Sequence, residues 1–129
     1  MKILLELPPP ARNVLPVINH AVAVYKTWHQ YRSDLPKSAR YTLGDKIDTT
    51  FIRALEFLYI ASYQSKTEKL PTLRSAIRAI DVLKFFLRIA WELHVLDTKK
   101  YANVSEEVEE LGRMVGGWKK GLESKTLAP

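Results

Sequence analysis

Apolar residues recur along this chain at steps of three and four, the period of one helix face, in four separate runs. The first run is Val14, Ile18, Ala21, Val22, Tyr25 and Trp28. It predicts a helix capped at Asn13, with Pro16 in its first turn, that ends near Ser33. Residues 34–38 break the pattern, and Pro36 can open the next helix, which carries Leu43, Ile47, Phe51, Leu55, Leu58 and Ala61. Thr42 and Asp45 fit a capping box, which would move that start to residue 43. A second break at 64–69 puts Pro71 near the start of a third helix, expected over about 70–96. A third break at 97–103 precedes Ser105, a suitable N-cap for the last helix. Glu106, Glu107, Glu109 and Glu110 would then occupy its first turns, where negative charge complements the helix dipole. With no alternating β pattern, the expectation is an all-α, up-down-up-down four-helix bundle over 13–124. A Pro-rich tail at 1–12 and a short C-terminal tail at 125–129 flank it.

Two helices carry more than a core stripe. From Val82 to Leu96, eleven of fifteen residues are apolar and wrap most of the circumference, Phe85 and Phe86 among them. A surface helix of a monomer needs one apolar stripe, so this helix is expected either to be central within its own bundle or, the favoured reading, to bury a second face against another subunit. The last helix holds four of the five glycines, at Gly112, Gly116, Gly117 and Gly121, around a seam of Val108, Leu111, Val115, Trp118 and Leu122. Each glycine inside a helix costs about 1 kcal/mol relative to alanine. Gly112 and Gly116 share a face, as do Gly117 and Gly121, and small residues at that spacing admit a closely approaching backbone. Gly112, Gly116, Gly117, Trp118, Phe85 and Phe86 are therefore the candidate packing and oligomerisation residues.

Composition narrows the chemistry. The chain has 129 residues, suited to one domain, and no cysteine, so thiolate metal sites and disulfides are absent. The N-terminal apolar run is too short and too interrupted by charge for a signal peptide, and no run reaches the ~18 apolar residues of a membrane span. A cytoplasmic protein without a membrane partner is expected. His20, His29 and His94 are scattered and form no metal-binding pair, and no phosphate-loop, nucleophile-elbow or dinucleotide motif occurs. No catalytic residue, metal or cofactor is expected. The formal net charge of +6 favours polyanionic partners through counterion release. Candidate phosphate contacts are Arg74, Arg78, Lys84 and Arg88 on the third helix and Arg113, Lys119 and Lys120 on the fourth. Lys66 and Lys69 extend the first row into a loop, Lys37, Arg40 and Lys46 flank the second helix, and Tyr41, Tyr63 and Tyr101 could stack on unpaired bases.

Four segments, in this order and spacing, carry a family resemblance. They are Pro36-Lys37-Ser38-Ala39-Arg40-Tyr41-Thr42-Leu43-Gly44-Asp45-Lys46-Ile47, then Ala61-Ser62-Tyr63 with Lys69-Leu70-Pro71. Leu83-Lys84-Phe85-Phe86-Leu87-Arg88-Ile89-Ala90-Trp91 and Gly112-Arg113-Met114-Val115-Gly116-Gly117-Trp118 follow. Over residues 14–122 the chain resembles the accessory variability determinant (Avd) family of diversity-generating retroelements. The resemblance implies a four-helix bundle assembling into a basic pentameric barrel. It also implies a non-catalytic accessory that binds the element's reverse transcriptase and template RNA in support of mutagenic retrohoming. Lys84, Arg88 and Arg113 match positions inside the shared motifs, and Gly112, Gly116, Gly117 and Trp118 match what looks like a packing motif. A related family, encoded by intervening sequences in 23S rRNA genes, shares the bundle and implies the alternative of an oligomeric scaffold without nucleic-acid binding. The triple proline and the acidic run at 106–110 depart from the pattern.

Overall fold

The computed structural model describes residues 15–127, so the Pro-rich tail and the Asn13 cap lie outside the described residues. Four long helices and one short one follow in order: α1 (Leu15–Ser33), α2 (Lys37–Arg40), α3 (Leu43–Tyr63), α4 (Lys66–Glu92) and α5 (Thr98–Leu127). No strand occurs among the described residues. α3 packs on α4, α4 on α5, α5 on α1 and α1 on α3, which closes a four-helix bundle. The α3–α4 connection is only residues 64–65, too short for anything but antiparallel neighbours. The core includes many residues of the periodic pattern, among them Ala21, Trp28, Ile47, Phe51, Leu58, Val108 and Leu111, but on α1 it turns to Val17 and Val24 and leaves Val22 exposed. Val24 and Trp28 of α1, Ile47, Phe51 and Leu58 of α3, Leu73, Ile80, Leu83 and Leu87 of α4, and Val104, Val108, Leu111 and Val115 of α5 are all buried.

Helix boundaries differ from the sequence expectation where two polar signals compete. Pro36 opens only the four-residue α2, and the chain turns again before α3. No capping box forms at Thr42, because its hydroxyl donates back to the carbonyl of Ala39 (3.3 Å). The tight approach here is at Gly44, where a Cβ would lie 3.2 Å from Leu35 Cδ1 and 3.3 Å from the Ala39 carbonyl oxygen. Gly44 thus lets α2 fold onto the first turn of α3, a role the sequence reading did not give it.

The break expected at 64–69 shrinks to Gln64 and Ser65, and Pro71 sits in the second turn of α4, where its missing N–H removes one ladder bond. Lys69 points inward and is buried, its Nζ donating to the Gln64 carbonyl at the end of α3 (2.6 Å). Burial lowers its pKa from the usual 10.5. It is a helix-end staple and is not free to meet a phosphate.

α4 stops at Glu92, short of 96, because His94 adopts φ 61°. The Val95 N–H bonds the Ala90 carbonyl (2.8 Å) and the His94 N–H bonds the Trp91 carbonyl (3.0 Å), a Schellman stop with histidine where glycine is usual. Asp97 then caps α5, its Oδ1 accepting the Lys100 N–H (2.9 Å). Ser105 is consequently inside α5 and is not its cap, and Glu106 to Glu110 lie beyond its first two turns. The dipole role expected for them does not apply; Glu109 and Glu110 instead make ion pairs.

Candidate functional site

The seven cations expected to meet phosphates lie on α4 and α5, and five of them are already engaged. Lys84 Nζ reaches Glu109 Oε1 (3.2 Å) and Asp81 Oδ1 (3.8 Å), tying α4 to α5. Arg88 pairs with Glu92 (2.6 Å) and Arg113 with Glu110 (2.7 Å), each along its own helix. Arg74 and Lys119 share Glu123, at 3.9 and 3.5 Å. Such exposed pairs stabilise by about 0–1 kcal/mol each. Their larger effect is local, because each carboxylate cancels the field that would draw in a polyanion. Arg78 and Lys120 have no carboxylate within ion-pair distance among the described residues. The acidic run at 106–110 thereby gains a function: it supplies the partners of Lys84 and Arg113.

The glycine face is open. A Cβ on Gly116, Gly117 or Gly121 would meet nothing within 4 Å, so no element of the bundle approaches them. Gly112 is different. The Lys84 side chain passes over it, with Nζ 3.6 Å from where a Cβ would stand, on its way to Glu109. Trp118 is half-buried and packs on the core, as does Phe86, whereas Phe85 is 57% exposed. The close packing expected of Gly116 and Gly117 is thus not made among the described residues.

A second group of cations was not assembled from the sequence. Between α3 and α4 runs a groove of about 300 Å³ lined by Lys46, Thr49, Thr50, Arg53 and Phe57 on one side. Ser75, Arg78, Ala79 and Val82 line the other. Lys46 and Arg53 are exposed, and neither has a carboxylate within ion-pair distance among the described residues. The Lys46 ammonium stands 5.5 Å from the Phe86 ring centroid, a cation–π contact that leaves its charge uncancelled. Among the described residues the Arg78 guanidinium donates only to the Ser75 hydroxyl (3.2 Å). The Thr50 hydroxyl is occupied by the Lys46 carbonyl (2.7 Å). The signal in the sequence was faint: Lys46 and Arg53 are seven apart, two turns on one face of α3, and Arg78 lies on the neighbouring antiparallel helix.

The aromatic residues divide similarly. Tyr101 stacks on Trp91 (5.0 Å between centroids, 9° between planes), so one of its faces is taken. Tyr63 packs edge-on to Tyr59 (5.4 Å), and both are about half exposed. Tyr41 is 67% exposed. Among the described residues no group of three or more His, Asp or Glu side chains is placed to hold a metal ion, and no helix is long and apolar enough to cross a membrane.

Comparison with known proteins bears on what this surface is for. A family model described as bAvd-like matches residues 18–122, from the first turn of α1 almost to the end of α5. No match was found among curated proteins.

Proposed function

This chain belongs to the bAvd-like family, and on that premise we propose that it is a non-catalytic accessory protein of a diversity-generating retroelement. It binds the reverse transcriptase of the same element and the template RNA, and so supports mutagenic retrohoming, in which error-prone cDNA of a template repeat replaces a variable repeat. It works in the cytoplasm as a homo-oligomer, a pentameric barrel. The observation that carries this reading is the family match across all four long helices. The net charge of +6 supports a polyanionic partner. Ile52, Tyr59 and Tyr63 on α3 with Phe85 on α4 are all exposed, the kind of apolar surface that another chain covers. No bond is made or broken by this chain: its basic side chains position phosphates while protein contacts retain the polymerase.

The test is co-purification. The tagged protein is co-expressed with the reverse transcriptase and template RNA of its element, and retention is followed across a salt series. Polymerase retained in fixed stoichiometry, with RNA released as salt rises, is the expected result. Recovery of this protein alone at low salt would favour the second reading, an oligomeric scaffold of the intervening-sequence type without nucleic-acid binding. The internal pairing of five candidate cations is the observation that favours that alternative.

A further inference from the structure

Building on the reading that this protein binds nucleic acid, we propose that the α3–α4 groove is where it holds a single strand. Lys46, Arg53 and Arg78 take the phosphates, and Phe57, Ala79 and Val82 form the floor against which a base rests. Three features distinguish this groove from the rest of the basic surface. The first is uncompensated charge. On α4 and α5 Arg74, Lys84, Arg88, Arg113 and Lys119 face glutamates, but the three groove cations have no carboxylate within ion-pair distance among the described residues, so an arriving anion meets charge that no ion pair offsets. The second is placement. Lys46 and Arg53 are seven residues apart, about 10 Å along α3, and Arg78 lines the same groove from α4. They form a short basic track that a phosphate backbone can follow. The third is the mixed lining: the Thr49 and Ser75 hydroxyls accompany the cations, and apolar side chains make the floor. A nucleotide carries an anionic phosphate and a flat apolar-faced base in one repeating unit, which matches both halves of the groove. A groove of about 300 Å³ is large enough to admit a base.

The experiment uses the full chain and a 5′-labelled 20-nucleotide oligo(rU), with binding followed by fluorescence anisotropy across a potassium chloride series. The groove variant is Lys46→Gln/Arg53→Gln/Arg78→Gln. The charge-matched control is Lys26→Gln/Lys99→Gln/Lys125→Gln, which removes three exposed cations outside the groove. Each phosphate contact on a single strand adds roughly 0.7 to the slope of log K against log salt, so the groove variant should lose roughly 2 from that slope. Its affinity should fall roughly tenfold or more at moderate salt, with the control close to wild type. An Arg53→Lys/Arg78→Lys variant, which keeps the charges, should retain most of the slope and guards against a folding defect. Equal losses in the groove and control variants, with wild type binding well, would overturn the groove while leaving RNA binding intact. No binding by wild type would overturn the groove and the RNA-binding part of the proposed function together. Displacement of oligo(rU) by poly-glutamate as readily as by unlabelled RNA would overturn the nucleic-acid assignment and make the groove a dock for acidic protein.

Discussion

Asp48 sits where α1 meets α3 and gathers donors from three side chains of α1. Its Oδ1 accepts from the Tyr25 hydroxyl (2.8 Å) and the Trp28 indole N–H (3.2 Å), and its Oδ2 faces the Arg32 guanidinium (3.2 Å). Arg32 also bonds Asp45, one turn earlier on α3. Trp28 is fully buried and stacks on Phe51, so the N–H it gives to Asp48 has no water to fall back on. Asp48→Ala strands that donor and should destabilise the fold by about 1–3 kcal/mol. Asp48→Asn keeps an acceptor oxygen and should lose less; urea melts of the two variants check the ordering. Burial and the hydrogen bond to Asp48 raise the pKa of the Tyr25 phenol from its usual 10.0. That contribution to stability is complete below pH 10 and is lost as pH climbs through the raised value. None of this network was legible in the sequence. Tyr25 and Trp28 were read as core positions, which they are, but their polar ends need a carboxylate on another helix, and periodicity carries no information about partners across helices.

At the scale of the element, the apolar period identified four helices and most of their buried faces, because burying a stripe is what makes each helix stable. Ends were less legible, since they depend on which of several polar residues caps first. Asp97 preceded Ser105 as a cap, and the polar stretch Thr98-Lys99-Lys100 disguised the first turn of α5 as loop. His94 could not be foreseen either, because a left-handed residue is expected to be glycine or asparagine. His94→Gly should therefore stabilise the protein by roughly 0.5–1 kcal/mol, by relieving a left-handed conformation at an exposed position. Thermal melts would detect it as a modest rise in Tm. The glycines of α5 make a sharper case. With nothing near Gly116, Gly116→Leu should leave the bundle intact, and its melting temperature should hold or rise, because leucine is the better helix former by up to about 1 kcal/mol. In the proposed assembly the same side chain would obstruct the neighbouring subunit, so the elution profile should shift to smaller species. An unchanged profile would take Gly116 out of the subunit interface.

Across the whole molecule, charge is distributed with a division of labour that composition conceals. A formal +6 is a sum over the sequence; the structure separates cations that lace α4 and α5 to glutamates from those that stand unopposed beside the α3–α4 groove. Runs of lysine and arginine along one helix looked like the binding row, but the same helical spacing that aligns them also aligns their ion-pair partners. Arg53, alone in its stretch of sequence, was passed over for the same reason: its companions come from Lys46 two turns away and from Arg78 on another helix. The fold and family were thus readable from pattern and motif order, whereas the free charge was readable only in three dimensions.

The central claim is that this protein assists a polymerase it does not replace. Its most direct test is reconstitution of cDNA synthesis from purified reverse transcriptase and template RNA, with and without this chain, measuring cDNA that extends into the template repeat. The account predicts little such product from the polymerase alone, a strong increase on adding this protein, and no synthesis by this protein by itself. Equal yields with and without it would contradict the accessory role.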